Sequence, residues 1–138
     1  MGARTSGREA ALQMIFAMDA TSEDAESVIR KYWRSFEAHP ETREYAERCV
    51  RGTYDGLDTI DKKIREASHN WRLERMTPVD RNILRLGTYE LANEAAVPRA
   101  VVLDEAVELA KLFGSEDSSP FVNGVLDRVA DLLGRRAR

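Results

Sequence analysis

Apolar residues return three and four positions apart through most of the chain, the spacing of one face of an α-helix rather than the alternation of a strand. Ser6 with Glu9 forms a capping-box pattern, and Leu12, Ile15 and Phe16 follow at helical spacing. A polar break at Thr21–Asp24 separates this helix from a second, marked by Val28, Ile29, Tyr32, Trp33 and Phe36. His39-Pro40 ends that helix, because the residue before proline is pushed out of the helical region. From about Glu41 to Ser68, Ala46, Cys49, Val50, Thr53, Leu57, Ile60, Ile64 and Ala67 predict a long helical stretch, with Gly52 and Gly56 placed to kink or split it.

The second half is punctuated more sharply. Thr77-Pro78-Val79-Asp80 places a cap, a proline at the first helical position and an acid in the first turn. Pro98 ends the loop after that helix; Asp104–Phe113 is predicted as the next, stopped by Gly114. Ser118-Ser119-Pro120 opens a last helix with the cleanest stripe in the chain: Val122, Val125, Leu126, Val129, Leu132 and Leu133. "RAVVL" at 99–103 is too short to stand alone as a strand. The expectation is an all-α bundle of about six or seven helices. It is one domain over 1–138, built from helical halves of about 1–70 and 71–138 that meet near residues 70–78.

One helix carries a residue that does not fit its pattern. In "RNILRLGTYELANE", Glu90 falls almost at the centre of the apolar stripe beside Ile83 and Leu86, and Gly87 falls inside that stripe. A carboxylate on an apolar face is costly unless something pairs with it. The simplest reading is a structural tie, with Gly87 letting another helix approach and Glu90 paired to an arginine. Arg72 and Arg75 of "NWRLER" are the candidate partners.

Composition narrows the chemistry. No apolar run approaches the roughly 18–20 residues needed to cross a bilayer, and the N-terminus lacks the apolar core of a signal peptide. One cysteine, Cys49, cannot form an internal disulfide, which fits a reducing cytoplasm. With two histidines beside it, a zinc site is not expected. His39 and His69 have no partner at catalytic spacing, and Glu105 with Glu108 reads as a solvated helix face. Neither catalysis nor a cofactor is expected.

The formal net charge of −3 argues against a strong stand-alone nucleic-acid binder, since phosphate affinity rests largely on lysine and arginine. The positive charge is nevertheless uneven. Arg4 and Arg8 lie in a segment with no acid before Glu9, and Arg135, Arg136 and Arg138 close the chain. In "SEDSSPFVNGVLD", Phe121 lands on the edge of the last apolar stripe near free helix N–H groups, with Asn123 and Gly124 on the outer side. Glu74, Asp80 and Asp117 stand near helix starts, where each is most simply a capping or dipole residue.

Together, "REAALQMIF", "NWRLERMTPVDRNILRLGTYEL" and "VLDEAVELAKLFGSEDSSPFVNGVLD" closely resemble the NusB transcription antitermination family, from Arg8 to about Leu133. The stretch from Thr21 to Arg48 carries no family signature. The resemblance implies an all-helical fold of two subdomains and binding of boxA RNA as a heterodimer with NusE, a small-subunit ribosomal protein. That pair nucleates an antitermination complex on RNA polymerase and supports ribosomal RNA transcription. By the same resemblance, Arg4 and Arg8 match an arginine-rich RNA-binding segment, Asp117 and Phe121 an RNA-facing turn, and Phe16, Glu74 and Asp80 the partner-protein surface.

Three features depart from the family pattern. Thr5-Ser6-Gly7 dilutes the arginine run, Phe16 stands where tyrosine is common, and Pro120 stands where a basic residue often occurs. Each departure bears on RNA or partner affinity rather than on the fold. Two other classes compete with this reading. NusB-like domains also occur fused to RNA cytosine methyltransferases, but 138 residues leave no room for the cofactor domain. A helical homodimer whose arginine surface is covered remains as the alternative.

Overall fold

The computed structural model describes residues 2–69 and 71–136. Over these residues the chain forms seven α-helices: α1 (Ala3–Thr21), α2 (Ala25–Ser35), α3 (Pro40–Asp55), α4 (Leu57–Ala67), α5 (Pro78–Asn93), α6 (Arg99–Phe113) and α7 (Ser118–Leu132). A single 3-10 turn, Leu73–Arg75, precedes α5, and no strand occurs among the described residues.

Several boundaries follow the local signals. Asp24 caps α2 by accepting from the Ser27 N–H at 2.8 Å, and Thr77 caps α5 by accepting from the Asp80 N–H at 3.1 Å. Pro40 is the first residue of α3, and Gly56 divides the long stretch into α3 and α4. Two starts differ from expectation. Helix α1 begins at Ala3 behind Gly2, with no side-chain cap, so Ser6 and Glu9 lie inside it. Its first turns are held by packing, with Gly7 against the Thr42 carbonyl and Tyr45 of α3, and tertiary contact of this kind outweighs a local cap. Helix α6 likewise begins at Arg99 rather than Asp104. Val102 and Leu103 of "RAVVL" are buried, and Arg99 donates to Asp127 and Asp131 of α7.

α1 packs along α3 and α5, while α5, α6 and α7 pack on one another and α4 closes against α5 and α7. One apolar core runs through all of this, from Met14 and Ile15 through Val50 and Ile64 to Leu84, Leu86 and Leu126. Each such side chain, fully removed from water, contributes about 1.5–3 kcal/mol. Gly87 faces α7, where a Cβ would sit 2.7 Å from the Leu126 Cδ1 side-chain atom.

Candidate nucleic-acid and partner interface

The centre of the bundle holds an ionic network that fixes the start of α1. Glu90 is 2% exposed, and Arg8 Nε donates to both of its carboxylate oxygens, at 3.0 and 2.8 Å. The Tyr45 hydroxyl donates to the same carboxylate. Arg8 Nη1 donates at 2.9 Å to Glu105 Oε1 of α6, which also accepts from Thr5. Burial pushes the Glu90 carboxyl up from its ordinary pKa, against the pull of Arg8 and Tyr45. Four helices thus meet on two carboxylates.

This arrangement corrects three expectations. Glu90 is a structural tie, but to Arg8 and Tyr45 rather than to Arg72 or Arg75. Those two face solvent, and Arg72 lies 3.5 Å from Glu74 instead. Arg8 is not an exposed phosphate contact: it is 2% exposed, and its Nε and Nη1 are both engaged by acids. Glu105 is not part of a solvated face, because it completes the Arg8 pairing. No sequence signal joins Tyr45 to Glu90, since nothing local relates positions on separate helices.

Arg4 differs from Arg8 by one turn and by its surroundings. It is exposed, its guanidinium lies 5.9 Å from the centroid of the Tyr45 ring, and it belongs to a formed helix rather than a flexible arm. At the other end of the chain, Arg135 does not add to a basic surface. It donates to the carbonyls of Leu91 and Val97 and so closes the α5–α6 link. Arg136 is exposed, and Arg138 lies outside the described residues.

The turn into α7 is open to solvent. Asp117 is exposed at the N-cap and makes no side-chain capping bond, while Phe121 is half-buried against the core. Asn123 is exposed, and a Cβ at Gly124 would meet nothing within 4 Å. Helix α6 relates this turn to Arg4. Thr5 contacts Glu105 in its first half, whereas Ser119 donates to the Val107 carbonyl and Ser118 binds Ser115 beyond its end.

Phe16, 40% exposed, lines an apolar groove of about 270 Å³ with Leu12, Gln13, Val79 and Phe113. Asp80 follows Val79 at the start of α5, and its Oδ1 is buried without a partner among the described residues. Glu74 is exposed on the 3-10 turn and lines a separate depression with Arg65, Arg81 and Arg85. Of the three residues matched to a partner surface, Phe16 alone lines this groove; Asp80 and Glu74 lie outside its lining.

The sequence model of the NusB family matches residues 5–131. The chain belongs to the NusB family. A relative named transcription antitermination protein NusB, from Sorangium cellulosum (strain So ce56), is 59% identical over 135 residues, covering 98% of this chain and 96% of its own. The protein of the same name from Myxococcus xanthus (strain DK1622) is 44% identical over 139 residues, covering 98% and 99%. The solved T. maritima NusB aligns with a TM-score of 0.84 and 37% identity, over 93% of this chain and 90% of that one. A second solved structure, described as antitermination factors NusB and NusE in complex with dsRNA, contains a chain that aligns at 0.86 with 25% identity, over 96% and 98%. The matched span of the NusB family starts at Thr5, so Arg4 lies just outside it and Arg8 just within.

Proposed function

We propose that this NusB-family chain is a transcription antitermination factor that binds boxA RNA jointly with NusE. The pair would nucleate an antitermination complex on RNA polymerase in the cytoplasm and support ribosomal RNA transcription. The observation that carries this reading is the full-length structural match to a chain of the NusB–NusE–dsRNA complex. In this reading the chain is a binding protein without catalysis or cofactor.

In this reading the roles are as follows. Arg4 meets RNA phosphate, and Asp117 and Phe121 meet RNA at the α7 turn, where stacking of a base on an aromatic ring contributes about 1–3 kcal/mol. Arg8 acts as a positioning residue that holds the Arg4-bearing turn against Glu90 and Glu105. NusE occupies the Phe16 groove, and Asp80 and Glu74 meet it outside that groove. An acidic chain with one exposed arginine on this helix start binds RNA weakly alone, so affinity belongs to the pair.

The test is binding of a short boxA-like RNA to the chain alone and with NusE, across a salt series. Weak binding that tightens sharply with NusE is expected, and Phe121→Ala weakens the ternary complex. Unchanged binding with NusE overturns the reading. Sedimentation would then show whether the homodimer with a covered arginine surface takes its place.

A further inference from the structure

Asp117, Phe121, Gly124 and Arg128 lie on one edge of α7, at i, i+4, i+7 and i+11, a path of about 16 Å. At Gly124 the helix backbone is open to whatever approaches. At the far end Arg128 is exposed, and its Nε donates to the Ala67 carbonyl that ends α4. Its two terminal nitrogens have no hydrogen-bond partner among the described residues. Just beyond, the Trp71 N–H donates to the Ser68 carbonyl at 3.1 Å, which folds Trp71 back beside the end of α4.

Trp71 is 55% exposed, the largest fraction of any aromatic side chain among the described residues. The segments that meet at Trp71 carry arginines: the Ser68 hydroxyl contacts the Arg65 and Trp71 carbonyls, Arg128 reaches the Ala67 carbonyl, and Arg75 follows in the 3-10 turn. Arg65, Arg75 and Arg128 have no acid within salt-bridge distance among the described residues. The nearby acids are otherwise engaged: Glu66 faces Lys63, Glu74 faces Arg72, and Asp127 and Asp131 are held by Arg99. Three arginines without an acid at salt-bridge distance, on the segments that meet at an exposed indole, fit a polyanion with stackable rings even on a chain of net charge −3. An apolar protein segment would find little here besides Trp71.

We propose that the Trp71–Arg128 end of α7 is a second contact for the RNA, taking single-stranded nucleotides beyond those at Phe121. A base stacks on Trp71 while Arg75 and Arg128 pair with phosphates. This rests on the RNA reading above and extends it to residues outside the Phe121 turn.

The experiment compares a short boxA-like RNA with the same RNA lengthened by about eight uridines at either end, bound to the chain with NusE. Lengthening at one end tightens binding roughly tenfold, the effect of about 1.4 kcal/mol from one stacked base and its phosphates. Trp71→Ala and Arg75→Ala remove that gain and leave the short RNA unaffected, and Trp71→Phe restores most of it. Circular dichroism verifies that each variant is folded. In a Trp33→Phe background, emission from Trp71 is quenched by the long RNA and not by the short one.

A lengthened RNA that gains nothing, or a gain that survives Trp71→Ala, overturns the proposal while leaving short-RNA binding intact. Quenching of Trp71 by NusE without RNA overturns it in favour of a protein contact. Failure of the short RNA itself removes the parent reading as well.

Discussion

Arg8 and Glu90 are 82 residues apart in sequence, yet the arginine Nε bridges both carboxylate oxygens in a site where each side chain is at most 3% exposed. Removing one partner of such a pair leaves an uncompensated buried charge, at a cost of about 3–5 kcal/mol. Glu90→Ala and Arg8→Ala are each expected to lower the urea unfolding free energy by that order. The double variant Arg8→Met with Glu90→Leu is expected to lose less than the sum of the two, because neither charge remains. Additive losses would show that the two groups do not act as a pair.

A second ionic centre makes stability depend on acid. Burial alone would raise the Asp19 carboxyl, but hydrogen bonds from Arg81 and Asn82, with the charges of Arg81 and Arg85, hold it below the ordinary aspartate value. A depressed native pKa adds stability above the unfolded-state pKa, and that stability is lost as pH falls through the native value. Asp19→Asn is therefore expected to be less stable at neutral pH and to show a shallower loss between about pH 5 and pH 2. Urea midpoints across that range give the slope. Equal slopes for the two proteins would rule out Asp19 as a source of the acid limb.

Two glycines on facing helices should respond oppositely to alanine. At Gly87 the added methyl meets Leu126 at 2.7 Å, and overpacking of this kind costs about 1–3 kcal/mol. At Gly124 it meets nothing, and the helix should gain about 0.4–1 kcal/mol from a stiffer unfolded chain. Thermal or urea unfolding separates the signs. In RNA binding the order reverses: Gly124→Ala should weaken the complex with NusE, and Gly87→Ala should not.

Arg4 and Arg8 also part company in solution. Arg4→Ala should leave stability unchanged and lower the slope of log affinity against log salt by about 0.7, the loss of one phosphate contact to a single strand. Arg8→Ala should instead reduce the folded fraction. An unchanged salt slope for Arg4→Ala would remove it from the RNA surface.

By itself, the sequence determined the helices and the family. Periodicity in the Val122–Leu133 stripe, the Thr77-Pro78 start and the Gly114 stop are local signals, and their hydrogen bonds close within a turn or two. The "DEAVELAK" and "FVNGVLD" blocks carried the resemblance, and the match over residues 5–131 agrees with it. Glu90 was legible as an anomaly because a carboxylate on an apolar stripe violates a one-dimensional rule. What answers that anomaly was not legible. Its partners Arg8 and Tyr45 come from α1 and α3, and only the packing of those helices on α5 brings them together. The same packing started α1 at Ala3 despite a capping box at Ser6, and started α6 at Arg99. It also moved Arg8 and Arg135 inward while leaving Arg4 and Trp71 in water. Charge is a property of the residue, but whether that charge meets solvent, a carboxylate or a carbonyl depends on which helices are stacked around it. Tertiary structure alone decides that.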